Sequence, residues 1–272
     1  MITLDTIKVA AVQTAIKPTI HESISYTLKL CKKAARNEVD VICLPEQWLA
    51  LESYNYINEQ CEAMDTIISK FSRVAKDYDV YILLGGCIER IDNKNYITCP
   101  VLDTHGEIVS RQIKTHPFGA ERQYFSPGSE FELFDVNGCK ISIMICYDSC
   151  FPEVARVLAL KGADLIFNPS RIRSEGVEPW HLYGRMRSLE NRIPIVSVNV
   201  VNLPRHSGGT IIHSIEQKDG IVYPLIVAEG GSRPGIIFGE IDFKSPRDLR
   251  KARLKDRNVK VYSLLLSSNL MW

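Results

Sequence analysis

At 272 residues, with 45% apolar and 24% charged side chains, the chain has the composition of a globular protein with enough length to bury a large core. Its 33 Lys plus Arg against 32 Asp plus Glu exclude recruitment of nucleic acid, an anionic membrane or a strongly acidic partner by global charge. The opening MITLDTIKVAAVQTA has no basic segment leading into an apolar run, and no apolar stretch nears the ~20 residues of a membrane span, so a cytoplasmic location is expected.

Apolar runs of strand length alternate with segments of helical period. IKVAAVQT (7–14) reads as a strand and HESISYTLKLCKKAARN (21–37) as a helix with Ile24, Leu28 and Cys31 on one face. VDVICLPE (39–46) reads as a buried strand, IISKFSRVAKDY (67–78) as a helix and VYILLGGCIER (80–90) as one further strand, a βαβαβ opening. NYITCPVLDTHGEIVSRQIK then predicts a hairpin turning at Gly106 and ending at Lys114. Residues 115–130, THPFGAERQYFSPGSE, have no period and read as a long functional loop.

FELFDVNGCKISIMICYD predicts a hairpin around Asn137 and Gly138, and FPEVARVLALKGA a short helix with Pro152 in its first turn. ADLIFNPS is a strand, WHLYGRMRSLENR (180–192) a helix and IPIVSVNVV (193–201) a strand. SGGTIIHS, IVYPLIVAE and IIFGEIDF complete the strands before a basic tail. With no linker or repeat, this pattern predicts one domain, with two sheets packed together and helices outside.

The eight cysteines are scattered, mostly in apolar surroundings, with no CxxC pair, and the six histidines are dispersed. Neither a disulfide framework nor a metal site is expected. Cys146 stands apart because it ends the apolar strand ISIMIC and is followed at once by a polar turn and a helix start. At such an elbow the thiol is accessible, and the helix N-terminus is expected to stabilise its thiolate. A cysteine nucleophile needs a base. His116, His181 and His206 are candidates without distinguishing context, whereas Glu46 closes the buried strand VICL, where apolar surroundings are expected to raise its proton affinity. Lys114 closes IVSRQIK in the same manner. A lysine meeting the other two would stabilise the oxyanion of a tetrahedral intermediate.

LPE (44–46), IKTHPF (113–118) and ICYDSCFPE (145–153), in this order and spacing, resemble the carbon-nitrogen hydrolase family, also called the nitrilase superfamily. The resemblance extends through VAAVQT, ERQYFSPG, NPS, RMRSLENRIPIVSVN, GTIIHS, FGEIDF and DRNVKVY. It implies an α/β fold, the αββα sandwich of two mixed β-sheets flanked by helices, forming αββα–αββα oligomers, so that a homodimer or larger homo-oligomer is expected. It also implies a single catalytic domain over 1–272, whose tail, 259–272, packs on the domain or across an interface between copies.

By the same resemblance Glu46 is the general base and acid, Lys114 the lysine of the triad and Cys146 the nucleophile. The backbone N–H of Tyr147 is an oxyanion donor, and Glu121 helps place substrate or water. A small-molecule amide would be cleaved through a thioester on Cys146, without metal or organic cofactor and without a nucleic-acid or membrane partner. Tyr147-Asp148 after the cysteine is similar to amidase and Nit-like branches, whereas nitrile-cleaving relatives have Trp-Glu there. Many relatives carry an arginine where this chain has Cys150. Arg171 and Arg173 can supply that charge, which would suit an N-carbamoyl or ω-amide acid.

Other readings compete with this one. They are a nitrilase, a thiol redox protein using Cys146 and Cys150, an inactive binding member of the family, and a nucleic-acid patch over 244–260, whose acidic residues favour an ordinary solvated helix.

Overall fold

Thr19 sets the first helix: its Oγ1 accepts from the Glu22 backbone N–H at 3.1 Å while the Glu22 carboxylate accepts from the Thr19 N–H at 3.1 Å, a reciprocal N-cap. The computed structural model of the chain describes residues 5–49 and 56–266, the last four by backbone alone. The first half runs β1 (Thr6–Gln13), α1 (Ile20–Ala35), β2 (Val41–Cys43), α2 (Ile57–Tyr78), β3 (Tyr81–Leu83), β4 (Cys87–Ile91), β5 (Lys94–Leu102) and β6 (Ile108–Ile113). Then come β7 (Leu133–Val136), β8 (Cys139–Ile143), α3 (Pro152–Lys161), β9 (Leu165–Pro169), α4 (Val177–Asn191) and β10 (Ile195–Val198). The short β11 (Val201–Asn202) and β12 (His206–Ser207) precede β13 (Ile211–Lys218), β14 (Ile221–Glu229), β15 (Gly235–Asp242) and α5 (Lys244–Lys255).

Two mixed sheets result. One has the order β15-β1-β2-β3-β5-β4 with β6 on the far edge of β5; the other runs β14-β13-β10-β9-β8-β7. Strands buried on both faces account for the near-continuous apolar runs of the sequence. Along β1, Val9 and Ala11 join a core with Val41, Leu83 and Val101 of the same sheet and with Ile141, Phe167, Val196 and Ile212 of the other. Their alternates Ala10 and Val12 pack outward with Ile42 and Leu44 against Ile24 and Cys31 of α1 and Ile67, Phe71 and Val74 of α2. On the opposite side Met144, Ile166 and Ile195 meet Val154, Ala155 and Leu158 of α3. Three apolar interfaces therefore separate four layers, and the fold is the expected αββα sandwich.

Several elements differ in extent from the sequence reading. The helix expected at 67–78 begins ten residues earlier, at Ile57, because Ile57 and Met64 extend its buried stripe beneath a charged outer face. The stretch 193–201 divides between β10 and β11. The basic helix α5 is not wholly solvated. Arg247 and Arg250 both bind Asp164, at 2.6 and 2.8 Å, and Arg250 is buried, which removes two cations from the suggested nucleic-acid surface. The tail expected at 259–272 is a 3-10 helix over Val259–Leu266, and its remainder lies outside the described residues.

Beneath α4, His213 of β13 is buried against Gly184, and neither ring nitrogen has a hydrogen-bond partner among the described residues. Burial, His181 and Arg185 together depress its pKa to about 4. A depressed value means that the folded state binds fewer protons than the unfolded chain. Stability is then fully present above the unfolded value near 6.5 and is lost as pH falls toward 4. The loss is at most about 3 kcal/mol. Urea midpoints measured across this window are expected to fall more steeply in the native protein than in His213→Gln. Parallel curves would contradict the assignment.

Candidate active site

The chain ends of several strands meet at one edge of the sandwich. β2 leads to Glu46, β6 to Lys114 and β8 to Cys146, so the first two come from one sheet and the thiol from the other. The strand expected at 80–90 is broken into β3 and β4 at Gly85 and Gly86, and the break serves Glu46. A Cβ on Gly86 would lie 2.5 Å from Glu46 Cγ, and one on Gly85 would lie 2.0 Å from the Pro45 carbonyl oxygen. Gln47 N–H donates to the Gly86 carbonyl at 2.7 Å, tying the two segments together. Gly86→Ala is expected to displace the Glu46 side chain and lower kcat by at least about tenfold, given the sensitivity of catalysis to misplacement of ~1 Å. Steady-state kinetics on a folded variant, verified by circular dichroism, check this.

Lys114 is the centre of the polar cluster. Its Nζ lies 2.7 Å from Glu46 Oε1 and 2.7 Å from Glu121 Oε2, with Lys114 only 1% exposed, Glu46 2% and Glu121 8%. Glu121 is held in turn by the Phe118 N–H at 2.7 Å and by Gln47 Nε2 at 3.2 Å, and Gln47 Oε1 accepts from Arg171 Nη1 at 3.2 Å. Burial alone would lower the pKa of Lys114. The negative charges of Glu46 and Glu121 outweigh it and hold the ammonium above its ordinary range. Burial, with Glu46 nearby, raises the Glu121 carboxyl against the pull of Lys114.

Cys146 adopts φ 48°, a left-handed conformation that costs a non-glycine residue about 1 kcal/mol or more and marks a sharp turn at the strand end. A 3-10 turn over Cys146–Cys150 follows. The Glu46 carboxylate and the Arg171 backbone N–H both act on the sulfur. The expectation of a stabilised thiolate is corrected here. Burial, then the Glu46 charge, push the thiol well above its usual range, and Lys114 and the Arg171 N–H only partly oppose them. The resting group is a thiol that feels the charge of the carboxylate able to take its proton.

Asp148 fixes this turn to the lysine strand. One carboxylate oxygen accepts from the Ile145 N–H at 2.9 Å; the other accepts from Thr115 Oγ1 at 2.8 Å and the His116 N–H at 2.9 Å, with His116 Nδ1 also at 2.9 Å. The residues beside Cys146 and Lys114 are thus joined through one buried side chain. Arg187 of α4 grips the far end of the turn, donating to the carbonyls of Ser149 and Cys150 at 3.1 and 3.0 Å.

Cys146 and Tyr147 form part of the wall of a cavity of about 650 Å³ that also includes Gln47, Phe118, Trp180 and Tyr183. Glu46, Lys114 and Glu121, all buried, are not among the residues that line it. Arg171, Arg173 and Cys150 reach it as well. Of the histidines considered as bases, His116 serves Asp148, and His181 binds the Gly209 carbonyl at 2.6 Å. His206 binds the Ile172 carbonyl at 2.9 Å. All eight cysteines are free thiols. Among the described residues no group of three His, Cys, Asp or Glu side chains is placed to hold a metal ion, and no helix is long and apolar enough to cross a membrane.

Sequence reasoning passed over Gln47, Arg187 and the carboxylate of Asp148. Each was adjacent to, or within, a motif already singled out, but its role is a hydrogen bond to a distant segment.

Known proteins resemble this chain along most of its length. The Xenopus laevis protein named Omega-amidase NIT2-A is 28% identical over 257 residues, covering 90% of this chain and 91% of its own. A Schizosaccharomyces pombe protein named as a probable nitrilase is 32% identical over 201 residues, covering 72% of this chain and 73% of its own. The crystal structure of a carbon-nitrogen hydrolase from Helicobacter pylori matches with a TM-score of 0.86 at 22% identity, covering 97% of this chain and 99% of that one. The family model described as Carbon-nitrogen hydrolase matches residues 8–251, and with most of its length so matched the chain belongs to the carbon-nitrogen hydrolase family.

Proposed function

We propose that this protein hydrolyses the amide bond of a small molecule, with Cys146 as nucleophile, Glu46 as proton carrier and Lys114 as electrostatic stabiliser. The observation that carries the reading is the buried Lys114 ammonium held 2.7 Å from each of two carboxylates, Glu46 and Glu121, with the charge of Glu46 also acting on the Cys146 thiol. Glu46 accepts the thiol proton as sulfur attacks the carbonyl carbon. The oxyanion that forms is held by Lys114 and the Tyr147 N–H. Collapse breaks the C–N bond, Glu46 delivers the proton to the leaving nitrogen, and ammonia or an amine departs from a thioester. Glu46 then takes a proton from water as its oxygen attacks the thioester, and returns that proton to the sulfur as the C–S bond breaks, which restores the thiol and releases the acid product, ionised in solvent. Glu121 keeps Lys114 oriented and charged while this happens.

Arg171 and Arg173 on the cavity wall, and the omega-amidase name of a relative, favour a substrate whose acyl part ends in a carboxylate. Incubation with a panel of amides, with ammonia release and intact mass measured together, tests the reading. A transient acyl adduct on Cys146 is expected; turnover without one, or ammonia release by Cys146→Ala, would overturn it.

The same reading takes 1–272 as one catalytic domain that works as a homo-oligomer. Val157 and Leu160 of α3, with Leu182 and Met186 of α4, are exposed apolar side chains of the kind a second copy covers. Light scattering of Leu182→Glu, expected to give a smaller species, tests that assembly.

A further inference from the structure

The cavity is larger than a four- or five-carbon ω-amide acid needs; about 300–1,000 Å³ is the range of sites for drug-sized ligands. Its charged wall is also uneven. Three arginines, Arg171, Arg173 and Arg205, face it against a single acid, Glu175.

These arginines occupy different depths. Arg171 is the inner one: its backbone N–H acts on the Cys146 sulfur and its guanidinium donates to Gln47 Oε1 at 3.2 Å. Arg173 and Arg205 are exposed and arrive from separate segments, the first from the loop after β9 and the second from the turn between β11 and β12. The two segments are fastened together. Ser174 N–H donates to the Arg205 carbonyl at 2.9 Å, Ser174 Oγ to the Pro204 carbonyl at 2.7 Å, and His206 Nδ1 lies 2.9 Å from the Ile172 carbonyl. Such fastening holds the two cations at one rim of the cavity, although like charges repel and free loops would let them part.

We propose that Arg173 and Arg205 form an outer oxyanion subsite, distinct from the inner position beside Arg171. The preferred substrate is then an extended amide bearing two anionic groups, one near the reacting carbonyl and one remote. The inference rests on the amide-hydrolase reading only for the identity of the scissile group. A carboxylate and a phosphonate can each offer two oxygens to the guanidinium fork, so both belong in the test.

Binding to Cys146→Ala, which lacks the reacting thiol, separates this subsite from the chemistry. The probes are N-acetylglutamine, with one carboxylate, N-succinylglutamine, with two, and N-(phosphonoacetyl)glutamine, titrated by calorimetry at low and physiological salt. The doubly anionic probes are expected to bind about tenfold tighter than the acetyl one, with the advantage shrinking as salt screens the exposed rim. Adding Arg205→Gln should abolish most of that advantage and leave N-acetylglutamine within about twofold. Equal binding of all three probes, or an equal loss for all three in Arg205→Gln, would overturn the proposal. Anion discrimination in a protein that never hydrolyses amides would sink the amidase reading and leave the subsite standing; turnover without discrimination would do the reverse.

Discussion

Glu46→Gln is expected to lower the rate of acylation by about 10²- to 10⁴-fold, the usual contribution of a positioned general base, while leaving the fold intact. The amide is nearly isosteric and still offers Lys114 an oxygen at the 2.7 Å position. What it cannot do is carry a proton from sulfur to nitrogen. The structure adds a second, opposite expectation. The Glu46 charge is one of the forces raising the Cys146 pKa, and Lys114 is one of those lowering it, so removing the first should let the thiol ionise more readily. Alkylation by iodoacetamide at a fixed neutral pH should therefore be faster in Glu46→Gln than in the native protein, as turnover collapses. Stopped-flow acylation and mass-detected alkylation give both rates. A variant that kept normal turnover, or lost nucleophilicity and turnover together, would show that Glu46 acts by shaping the site and not by moving protons.

Lys114→Met should be costly to folding as well as to catalysis. It leaves Glu46 and Glu121, both buried, around a missing cation. Breaking a buried pair by removing one partner typically costs about 3–5 kcal/mol, because the remaining charge stays desolvated. Two uncompensated carboxylates prefer to bind a proton, so their folded-state pKa values rise. Stability attached to a raised pKa is present at low pH and lost as pH increases through it. The deficit of Lys114→Met in urea should accordingly be largest at neutral and alkaline pH and should narrow in acid. If the midpoint shifted equally at every pH, the lysine would be acting through packing and not through charge. Loss of one oxyanion donor lowers kcat by a further ~10²- to 10³-fold, measurable under conditions where the variant is folded.

The layers of the sandwich were legible because both faces of each central strand are covered, and apolar strand runs and helical stripes report that directly. Glu46, Lys114 and Cys146 were legible as polar residues at the ends of apolar runs, and the structure brings the three together. Other features depend on contacts between distant segments. The bent link at Gly85–Gly86 looked like the interior of one strand, since only the approach of Pro45 and Glu46 explains why glycine is needed there. The direction of the thiol shift was misjudged for a similar reason. A helix start near Cys146 was visible in sequence, whereas the burial and the neighbouring carboxylate that outweigh it were not. Arg205, 59 residues beyond the nucleophile, carried no local signal, and only its fastening to Ser174 places it on the cavity rim.

The protonated state of the nucleophile has a bearing on how long the protein survives in use. Peroxides attack thiolates, so cysteines with low pKa values are the ones that progress to sulfenic and then irreversible sulfinic acids. Cys146 is held as a neutral thiol until an acyl group is in place to receive its electrons. Protonation rather than inaccessibility protects this sulfur between turnovers, since it borders the cavity, and oxidative damage should fall first on Cys61 and Cys150, which are equally accessible and whose thiols are raised less.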